Sequence, residues 1–373
     1  MQRSGVRLCS ALAAVSIMCT ALVASAGVAS AGAASKGGLI DFANGTENGT
    51  TYLGLQHTLQ STLHKAGYKV HVFNNDYNET QTFSNLTTMI SEHPKVIVEY
   101  NPLADASSRV GQQLKSSGIP CIAPNVPVPG CYFFNEDLGP MGKQLAGTVK
   151  GLMAKKGWNG SNTEVVLVEI ATLGTLNTGL YDFYAPLSHE VSGMTPVNVK
   201  TINTSSNKIG NDGLQINPPY TESAADHQFA SLLASVPTSE NLVVDCLGDE
   251  TCLGAYKALQ TAGRLSHAML MAWGTTAPAM SLLRKPNSSW VAESANFFAY
   301  WGEFIGAEAV AITKGIKPPK QTYPPMTILT KKNVNTYFKK NGDVKIFPKL
   351  VKADHYLLKT GVLQKAHNVE GIK

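Results

Sequence analysis

The feature that most constrains the fold is a repeated alternation of short apolar runs with segments of helical spacing. Residues 39–43 form a strand-length apolar run, and in residues 52–65 leucines then recur at mostly helical intervals. Gly67 is placed to end that predicted helix. Alternating strands and helices build a parallel sheet that is covered on both faces. The pattern therefore predicts an α/β fold.

The alternation continues in two runs that are separated near residue 156. Further predicted strands span residues 69–73, 96–100, 119–123, 165–170, 197–203, 242–246 and 268–273. Further predicted helices lie around residues 83–90 and 110–114 and over residues 178–191, 224–234 and 252–262. Two such runs predict two Rossmann-like lobes, each with its own parallel sheet.

The N-terminal 31 residues have the composition of a secretory signal peptide. Arg3 and Arg7 are the only charges before Lys36, and an apolar stretch follows them. We expect cleavage after Ala31, with Ala26 as the second choice. The apolar stretch is shorter than the ~20 residues that a membrane-spanning helix needs, which favours a cleaved signal over a retained anchor. The mature chain is thus expected in the periplasm or secreted.

Four cysteines remain after signal removal: Cys121, Cys131, Cys246 and Cys252. Export permits disulfides, and four cysteines allow three pairings. We favour the local pairing of Cys121 with Cys131 and of Cys246 with Cys252, and free buried thiols are the alternative. Zinc is disfavoured because the spacings match no common zinc motif and no histidine pair is nearby.

The charge distribution argues against several classes of partner. The net charge is +5, only 15% of residues are charged, and no basic stripe crosses the body of the chain, so we expect no nucleic acid. His57, His64, His71 and His93 are scattered without metal-ligand spacing, and we predict no metal and no cofactor. Residues 314–373 hold thirteen lysines and three acidic residues, which suits either a solvated surface or a docking face.

The loops that follow the predicted strands suggest a ligand site. In open α/β sheets, ligands bind beyond the carboxyl ends of the strands. These loops contain many Asn, Thr and Gly residues and few charges: 44–51, 101–105, 124–130, 171–177, 248–250 and 274–277. Such side chains suit hydrogen bonds to a small neutral polar molecule better than a clamp for phosphate.

Three segments resemble a known family. They are an opening unit of aromatic residue, helix and Gly-Tyr over residues 52–68, a segment Asn-Glu-Asp-Leu-Gly-Pro-Met-Gly over 135–142, and Gly-Asp-Glu-Thr-Cys-Leu-Gly-Ala-Tyr-Lys-Ala-Leu-Gln-Thr-Ala-Gly over 248–263. On these segments the chain resembles the type I periplasmic substrate-binding proteins of ABC transporters, especially the ribose/galactose-like sugar-binding branch. The resemblance covers roughly residues 37–330.

The resemblance implies a hinged protein of two lobes that closes over a small ligand, sugar or sugar-like, and performs no chemistry. Its partners would be ABC permease subunits, and the protein is expected to be a monomer. Three crossings between the lobes are expected near residues 135–136, 293–294 and 325–326. The N-terminal lobe would comprise residues 35–136 plus 294–325, and the C-terminal lobe residues 137–293 plus 326–373.

The resemblance also implies ligand-contacting positions in the N-terminal half. Tyr52 matches an aromatic that stacks on a sugar ring, although a core aromatic is the alternative. Thr51 takes the place of a preceding aromatic. Asn125 lies where the family often has an Asp, although a turn residue is the alternative. Asn177 lies near the family's usual Arg.

Five further positions complete the predicted site. Asp249 is either a ligand contact or a cap of the following helix. Trp273 is either a stacking surface or a core residue, and Thr275 follows it. Glu293 lies near the family's Gln or Asn at the second crossing, and Asn296 begins the segment after it.

The chain departs from the family pattern at several of these positions. Gly248 replaces an Asn, the loop beginning at Trp273 has no Asp, and no Arg lies near Asn177. Charge-assisted hydrogen bonds are therefore fewer than in the family. The first alternative function is a ligand-binding sensor that passes its signal to a receptor or a chemotaxis system. A secreted hydrolase is the second, although the mature chain contains no Gly-x-Ser-x-Gly motif.

Overall fold

A computed structural model describes residues 37–101, 103–203, 205–363 and 369–371. The predicted signal peptide, residues 1–31, lies outside the described residues. Two sheets organise the rest of the chain. The thirteen strands are β1 (Leu39–Asn44), β2 (Lys69–Asn74), β3 (Val96–Glu99), β4 (Cys121–Pro124), β5 (Tyr132–Phe134), β6 (Thr163–Val168), β7 (Lys208–Ile209), β8 (Gly213–Ile216), β9 (Asn241–Cys246), β10 (Ala268–Trp273), β11 (Trp290–Ala295), β12 (Gln321–Thr322) and β13 (Thr327–Thr330).

Ten α-helices connect or cover these strands. They are α1 (Thr50–Lys65), α2 (Glu79–Ser91), α3 (Ser107–Ser117), α4 (Leu138–Lys156), α5 (Thr178–Glu190), α6 (Glu222–Leu233), α7 (Asp249–Thr261), α8 (Ala277–Arg284), α9 (Trp301–Thr313) and α10 (Val334–Tyr337). No helix in the described part of the chain combines the length and apolar character needed to cross a bilayer.

The first sheet has six strands in the order β12-β5-β4-β3-β1-β2, all of them parallel. The second has seven strands in the order β13-β11-β10-β9-β6-β8-β7, in which only the outer strands β13 and β7 run antiparallel to their neighbours. The predicted α/β fold with two mostly parallel sheets is confirmed.

Helices cover both faces of each sheet, as parallel sheets require. In the first sheet, Phe42 faces α1 and α9, whereas Ala43 faces α2 and α3. In the second sheet, Val165 packs with α4 and α5, whereas Val166 packs with α6, α7 and α8. The central strands β9 and β10 are buried along their whole length, which explains why they appear in the sequence as continuous apolar runs.

The predicted strand over residues 197–203 is wrong. That stretch holds a single 3-10 turn, Val199–Thr201, whose backbone is capped when the Asn198 side chain accepts a hydrogen bond from Lys200 N. The backbone N–H of Val197 donates to Ser188 Oγ instead of to a neighbouring strand. The place beside β6 is taken by β8, which begins ten residues later in the chain.

The cysteines pair locally, as predicted. Cys121 in β4 is joined to Cys131 just before β5, and Cys246 at the end of β9 is joined to Cys252 in α7. The first disulfide therefore joins β4 to the segment just before β5, and the second joins the end of β9 to the helix that follows it.

The C-terminal segment packs back onto the body of the protein. Phe347 lies against the ring of Phe304 in α9, with ring centroids 5.0 Å apart. Lys314 Nζ, just after α9, donates to Thr360 O at 3.1 Å. Arg284 in α8 also reaches this segment, because its Nη2 donates to Lys339 O at 2.9 Å. The segment thus contacts helices that cover both sheets.

Two glycines allow unusually close helix packing. An added Cβ at Gly302 in α9 would lie 2.3 Å from the backbone of Leu55 and Leu59 in α1. An added Cβ at Gly254 in α7 would lie 2.3 Å from Glu222 O in α6. Real Cβ atoms do not approach backbone this closely, so both helix pairs depend on the missing side chain.

We predict that Gly302→Ala lowers the free energy of unfolding by about 1–3 kcal/mol, because α1 and α9 must move apart. The matched control is Gly151→Ala in α4, where an added Cβ meets no atom within 4 Å. That control should raise stability by up to about 1 kcal/mol, since alanine favours helix. Urea unfolding of both variants measures the difference, and equal effects of the two substitutions would contradict the packing argument.

Candidate functional site

Polar and aromatic residues follow the strands at the carboxyl edges of both sheets. In the first sheet, Asn44 ends β1, Tyr100 follows β3 and Asn125 follows β4. In the second, Glu169 follows β6 and Asn296 follows β11. This is the edge at which parallel α/β sheets bind ligands.

Tyr52 lies in the first turn of α1 and forms the centre of an aromatic cluster. We call Tyr52, Tyr77, Tyr100 and Phe298 the aromatic cluster. The ring of Tyr52 lies 6.2, 6.0 and 5.5 Å from the rings of the other three, in that order. Its hydroxyl is 2.5 Å from the hydroxyl of Tyr77. The cluster therefore offers flat apolar faces together with hydroxyl groups, and Tyr77 remains 43% exposed.

Asn125 is tied into the same cluster. Its Nδ2 donates to the Tyr100 hydroxyl at 2.7 Å. Its backbone has a φ of 66°, in the left-handed region that asparagine tolerates better than most residues. The turn after β4 therefore directs this amide towards the aromatic cluster. The turn and binding interpretations are compatible, because the turn positions the side chain.

Asn296 lies where the chain passes from β11 towards α9. Its Nδ2 donates to Glu136 Oε1, 2.7 Å away, and so links the segment after β5 to the segment after β11. Its Oδ1 accepts from Phe298 N at 3.2 Å. Burial raises the pKa of Glu136 to about 7, although the bond from Asn296 opposes the shift. One side-chain hydrogen bond thus joins the segment after β5 to the segment after β11.

A buried acidic group lies at the edge of the second sheet. Asp245, Asp249 and Glu293 are all at most 1% exposed. The Oδ2 of Asp249 accepts from Thr276 N, 2.5 Å away, and the Oε1 of Glu293 accepts from Trp290 Nε1, also 2.5 Å away. Burial raises the pKa of Asp249 to about 6 and raises the pKa of Asp245 and Glu293 well above their ordinary values.

Asp249 supports the loop after β10. It is the first residue of α7, the cap position is Gly248, and no side chain caps this helix. Instead its carboxylate lies under Gly274, where an added Cβ would be 2.5 Å from Oδ1. The predicted capping role is therefore replaced by a bond to the Gly274–Thr276 turn, and Thr275 in that turn is half-buried.

Trp273 is the last residue of β10 in the second sheet, and Asn177 directly precedes α5. Trp273 is 4% exposed, and its six-membered ring packs over Gly179, where an added Cβ would be 2.6 Å from the ring. The amide of Asn177 exchanges hydrogen bonds with the backbone N–H and carbonyl of Ile170 and donates to Gly174 O. The side chain of Asn177 thus braces its own loop.

Thr51 is half-buried next to Tyr52 at the start of α1. At the edge of the second sheet, where Tyr220 follows β8 and Glu250 lies in α7, Tyr220 OH donates to Glu250 Oε2 at 2.6 Å. Burial is the main reason that the pKa values of Tyr52 and Tyr220 are raised; the carboxylate of Glu250 adds to the shift of Tyr52, and Tyr52 adds to the shift of Tyr220. The edges of the two sheets therefore lie within electrostatic reach of each other.

Several residues of this site were not predicted. Tyr100 and Glu169 directly follow β3 and β6, and Phe298 lies three residues after β11, so their position in the sequence could have identified them. Tyr220 follows β8, which the sequence pattern did not predict. Glu169 accepts from Tyr181 OH at 2.9 Å, and burial raises its pKa to about 7.

Glu99 shows that burial at the carboxyl edge of the first sheet disfavours negative charge. It is fully buried at the end of β3, and among the residues that the structure describes only its Oε1 has a hydrogen-bond donor, Asn75 Nδ2 at 2.8 Å. Burial raises its pKa from the ordinary 4.5 to about 8. Its contribution to stability is therefore complete below about pH 4.5 and is lost as the pH rises through about 8.

We predict that Glu99→Gln, which keeps an oxygen for Asn75, weakens this dependence on pH. Between about pH 5 and about pH 8.5, the free energy of unfolding of the wild type should fall by ~4 kcal/mol more than that of the variant, because nearly the whole interval between the two pKa values of Glu99 lies in this range. Urea unfolding across this range measures it. Glu190→Gln, at an exposed position beside Lys150, is the control and should follow the wild type. If the free energy of unfolding depended on pH equally in Glu99→Gln and in the wild type, the raised pKa of Glu99 would be refuted.

Comparisons with known proteins agree with this architecture. A sequence profile described as the periplasmic binding protein domain matches residues 40–309. A search of curated protein sequences finds no match. Among solved structures, an ABC transporter solute-binding protein from Mycobacterium smegmatis with bound glycerol has a TM-score of 0.68 and 15% identity, with 82% of this chain and 98% of that chain covered.

Two further structures show the same fold. An ABC transporter solute-binding protein from Agrobacterium vitis with bound allitol has a TM-score of 0.66 and 18% identity, over 80% of this chain and 97% of that one. One from Bacillus halodurans with bound myo-inositol has a TM-score of 0.66 and 14% identity, over 83% and 99%. The family is one of binding proteins rather than enzymes. Because the profile covers most of the chain and the two-sheet architecture agrees with it, this chain belongs to the periplasmic binding protein family and has the type I fold.

Proposed function

We propose that this protein is an exported solute-binding protein of an ABC importer that captures a small polyhydroxy compound, a sugar or a polyol, between its lobes. The three similar structures above carry glycerol, allitol and myo-inositol, all of them neutral and rich in hydroxyl groups. The edges described here have the same chemical character, because they combine tyrosine rings, amides and carboxyl groups. Binding requires no chemical step.

The aromatic cluster is the observation that carries the proposal. Aromatic faces pack well against the C–H surface of a polyol, and tyrosine hydroxyls both donate and accept. Asn125 adds an amide at 2.7 Å from the Tyr100 hydroxyl. A micromolar affinity requires about −8 kcal/mol, which one stacked ring and several hydrogen bonds can supply in a closed cleft.

Under this proposal the predicted site residues, together with Tyr220 and Glu250, contact the ligand, form the wall of the second sheet or act at the hinge. Tyr52, Thr51 and Asn125 contact the ligand from the first sheet, and Tyr220 with Glu250 contacts it from the second. Asp249, Thr275 and Glu293 shape and polarise the wall of the second sheet. Trp273 and Asn177 hold that wall in place. Asn296 acts at the hinge through its bond to Glu136.

We propose that the lobes correspond to the two sheets, with crossings near residues 135–136, 293–296 and 325–326. Phe297 at the second crossing has a φ of 54°, a conformation that costs energy for a bulky residue, and it stacks on Phe338 at 5.1 Å. The contacts of the C-terminal segment with α9 support assigning its last part, from Phe347 onward, to the first lobe. The earlier part touches α8 and lies beside the hinge.

Export, delivery and assembly follow from the same proposal. The signal peptide directs the chain across the membrane, and the mature protein acts as a monomer in the periplasm or outside the cell. The closed form then docks on permease subunits. Exposed lysines of the C-terminal segment, such as Lys331 and Lys340, provide positive charge that can steer such an encounter.

We predict that a thermal-shift screen of sugars and polyols identifies a ligand that raises the melting temperature of the wild type. Tyr52→Ala should weaken the affinity for that ligand at least ~10-fold, because it removes the central ring of the aromatic cluster. Tyr337→Ala, in the C-terminal segment, is the control and should bind as the wild type does. Titration calorimetry measures each affinity, and an unchanged affinity in Tyr52→Ala would place the site elsewhere.

We also predict that ligand binding closes the lobes. Small-angle scattering should report a smaller radius of gyration for the ligand-bound protein, because a ligand that touches both lobes favours the closed state. Asn296→Ala removes the bond to Glu136 and should change the radius of the free protein, with Asn341→Ala at an exposed position as its control. Equal radii with and without ligand would contradict hinge closure.

A further inference from the structure

A charged cluster away from the binding edges lies beneath the end of α2. Asp41 is in the middle of β1, and His71 is its register partner on β2, the outermost strand of the first sheet. Both lie on the face that carries Ala43 and is covered by α2 and α3. Glu92, the residue after α2, completes the cluster. We call Asp41, His71 and Glu92 the carboxylate–histidine cluster.

The three side chains converge. His71 Nδ1 lies 2.5 Å from Glu92 Oε2 and 3.9 Å from Asp41 Oδ1, and one donor atom from each residue lies within 4.8 Å of the others. Tetrahedral coordination at a bond length of about 2.0–2.2 Å places donor atoms about 3.3 Å apart. The distance from His71 Nδ1 to Glu92 Oε2 is shorter than this value, and the distance to Asp41 Oδ1 is longer. A rotation of Glu92, whose side chain is 29% exposed, is enough to adjust the spacing.

Asp41 is the most unusual member. Its side chain is fully buried, and among the described residues neither carboxylate oxygen has a hydrogen-bond donor. Its other register neighbour is Ile97, which is apolar and also buried. A buried carboxylate without donors is costly unless a cation accompanies it. His71 at 3.9 Å is too distant to donate a hydrogen bond.

Neighbouring charged residues do not remove the energetic cost of burying the Asp41 carboxylate. The charged groups that act on Asp41 are Glu92, His71 and Lys69, and in the described part of the chain none of them donates a hydrogen bond to its carboxylate. Two carboxylates and one imidazole together offer the nitrogen and oxygen donors that zinc binds. Access from solvent is open, because the side chain of His71 is 33% exposed.

We propose that Asp41, His71 and Glu92 form a binding site for one divalent transition-metal ion of the zinc type, which fastens the outer strand β2 and the end of α2 to the buried strand β1. Water would complete the coordination. The ion serves structure, since the cluster lies along the strands and not at the carboxyl edge of the sheet. The sequence offered no sign of the site, because its ligands come from three separate elements.

The test is zinc binding to the full chain, purified without a polyhistidine tag and treated with a chelator. Titration calorimetry with Zn²⁺ should give one site per chain, and saturating Zn²⁺ should raise the melting temperature by ~5 °C. Co²⁺ in place of Zn²⁺ should give visible absorption of a tetrahedral centre. Mg²⁺ should not compete, because it prefers an all-oxygen octahedral site.

Two variants at part-exposed positions make the test specific. His71→Gln and Glu92→Gln should each weaken Zn²⁺ binding at least ~100-fold, because each loses a direct ligand. His64→Gln, an exposed histidine on α1, is the matched control and should keep the wild-type affinity. Absence of Zn²⁺ binding in the wild type, or unchanged binding in His71→Gln, would overturn the proposal and leave the cluster as an ion pair only.

Discussion

The structure depends on one constraint of parallel sheets, which deliver the carboxyl ends of all their strands to a common edge. Strands such as β9 and β10 are buried along both faces, so side chains within them have no access to a ligand. Only residues just beyond the strands can serve that purpose. In this protein those positions hold tyrosines, asparagines and carboxyl groups, and the edges of the two sheets lie within electrostatic reach of one another.

Burial determines the electrostatic character of these edges. Glu99, Glu136 and Glu169 lie at or just after strand ends, and burial raises the pKa of each to about 7 or 8. Carboxyl groups in such surroundings lose their protons less readily than in water, and they pair with uncharged donors such as Asn75 and Tyr181. A neutral polyhydroxy ligand suits this arrangement better than a charged one, since it adds no further charge to a poorly solvated site.

The fold was largely predictable because its signals are local. Apolar runs and helical spacing identified seven strands and most helices but missed the interior strands β5, β8 and β11, and the family resemblance supplied the arrangement. The failure at residues 197–203 has a physical cause. The buried side chains Val197 and Ile202 imitate a strand pattern, but Asn198 caps a 3-10 turn and Ser188 takes the backbone hydrogen bond. The side chains of Asn198 and Ser188 accept hydrogen bonds from backbone N–H groups that a neighbouring strand would otherwise bind, so the stretch does not join the sheet.

The site was predictable only in outline. The order of residues alone determined that this chain forms two parallel sheets with polar loops beyond the strands, because hydrophobic periodicity and turn residues act over a few positions. Tertiary structure alone decided that Tyr52 contacts Tyr77 and Phe298 and that Asp41 lies beside His71 and Glu92. It also decided that the amide of Asn177 forms hydrogen bonds within its own loop. Those contacts join residues that are distant in sequence, and strand register, helix packing and burial determine them.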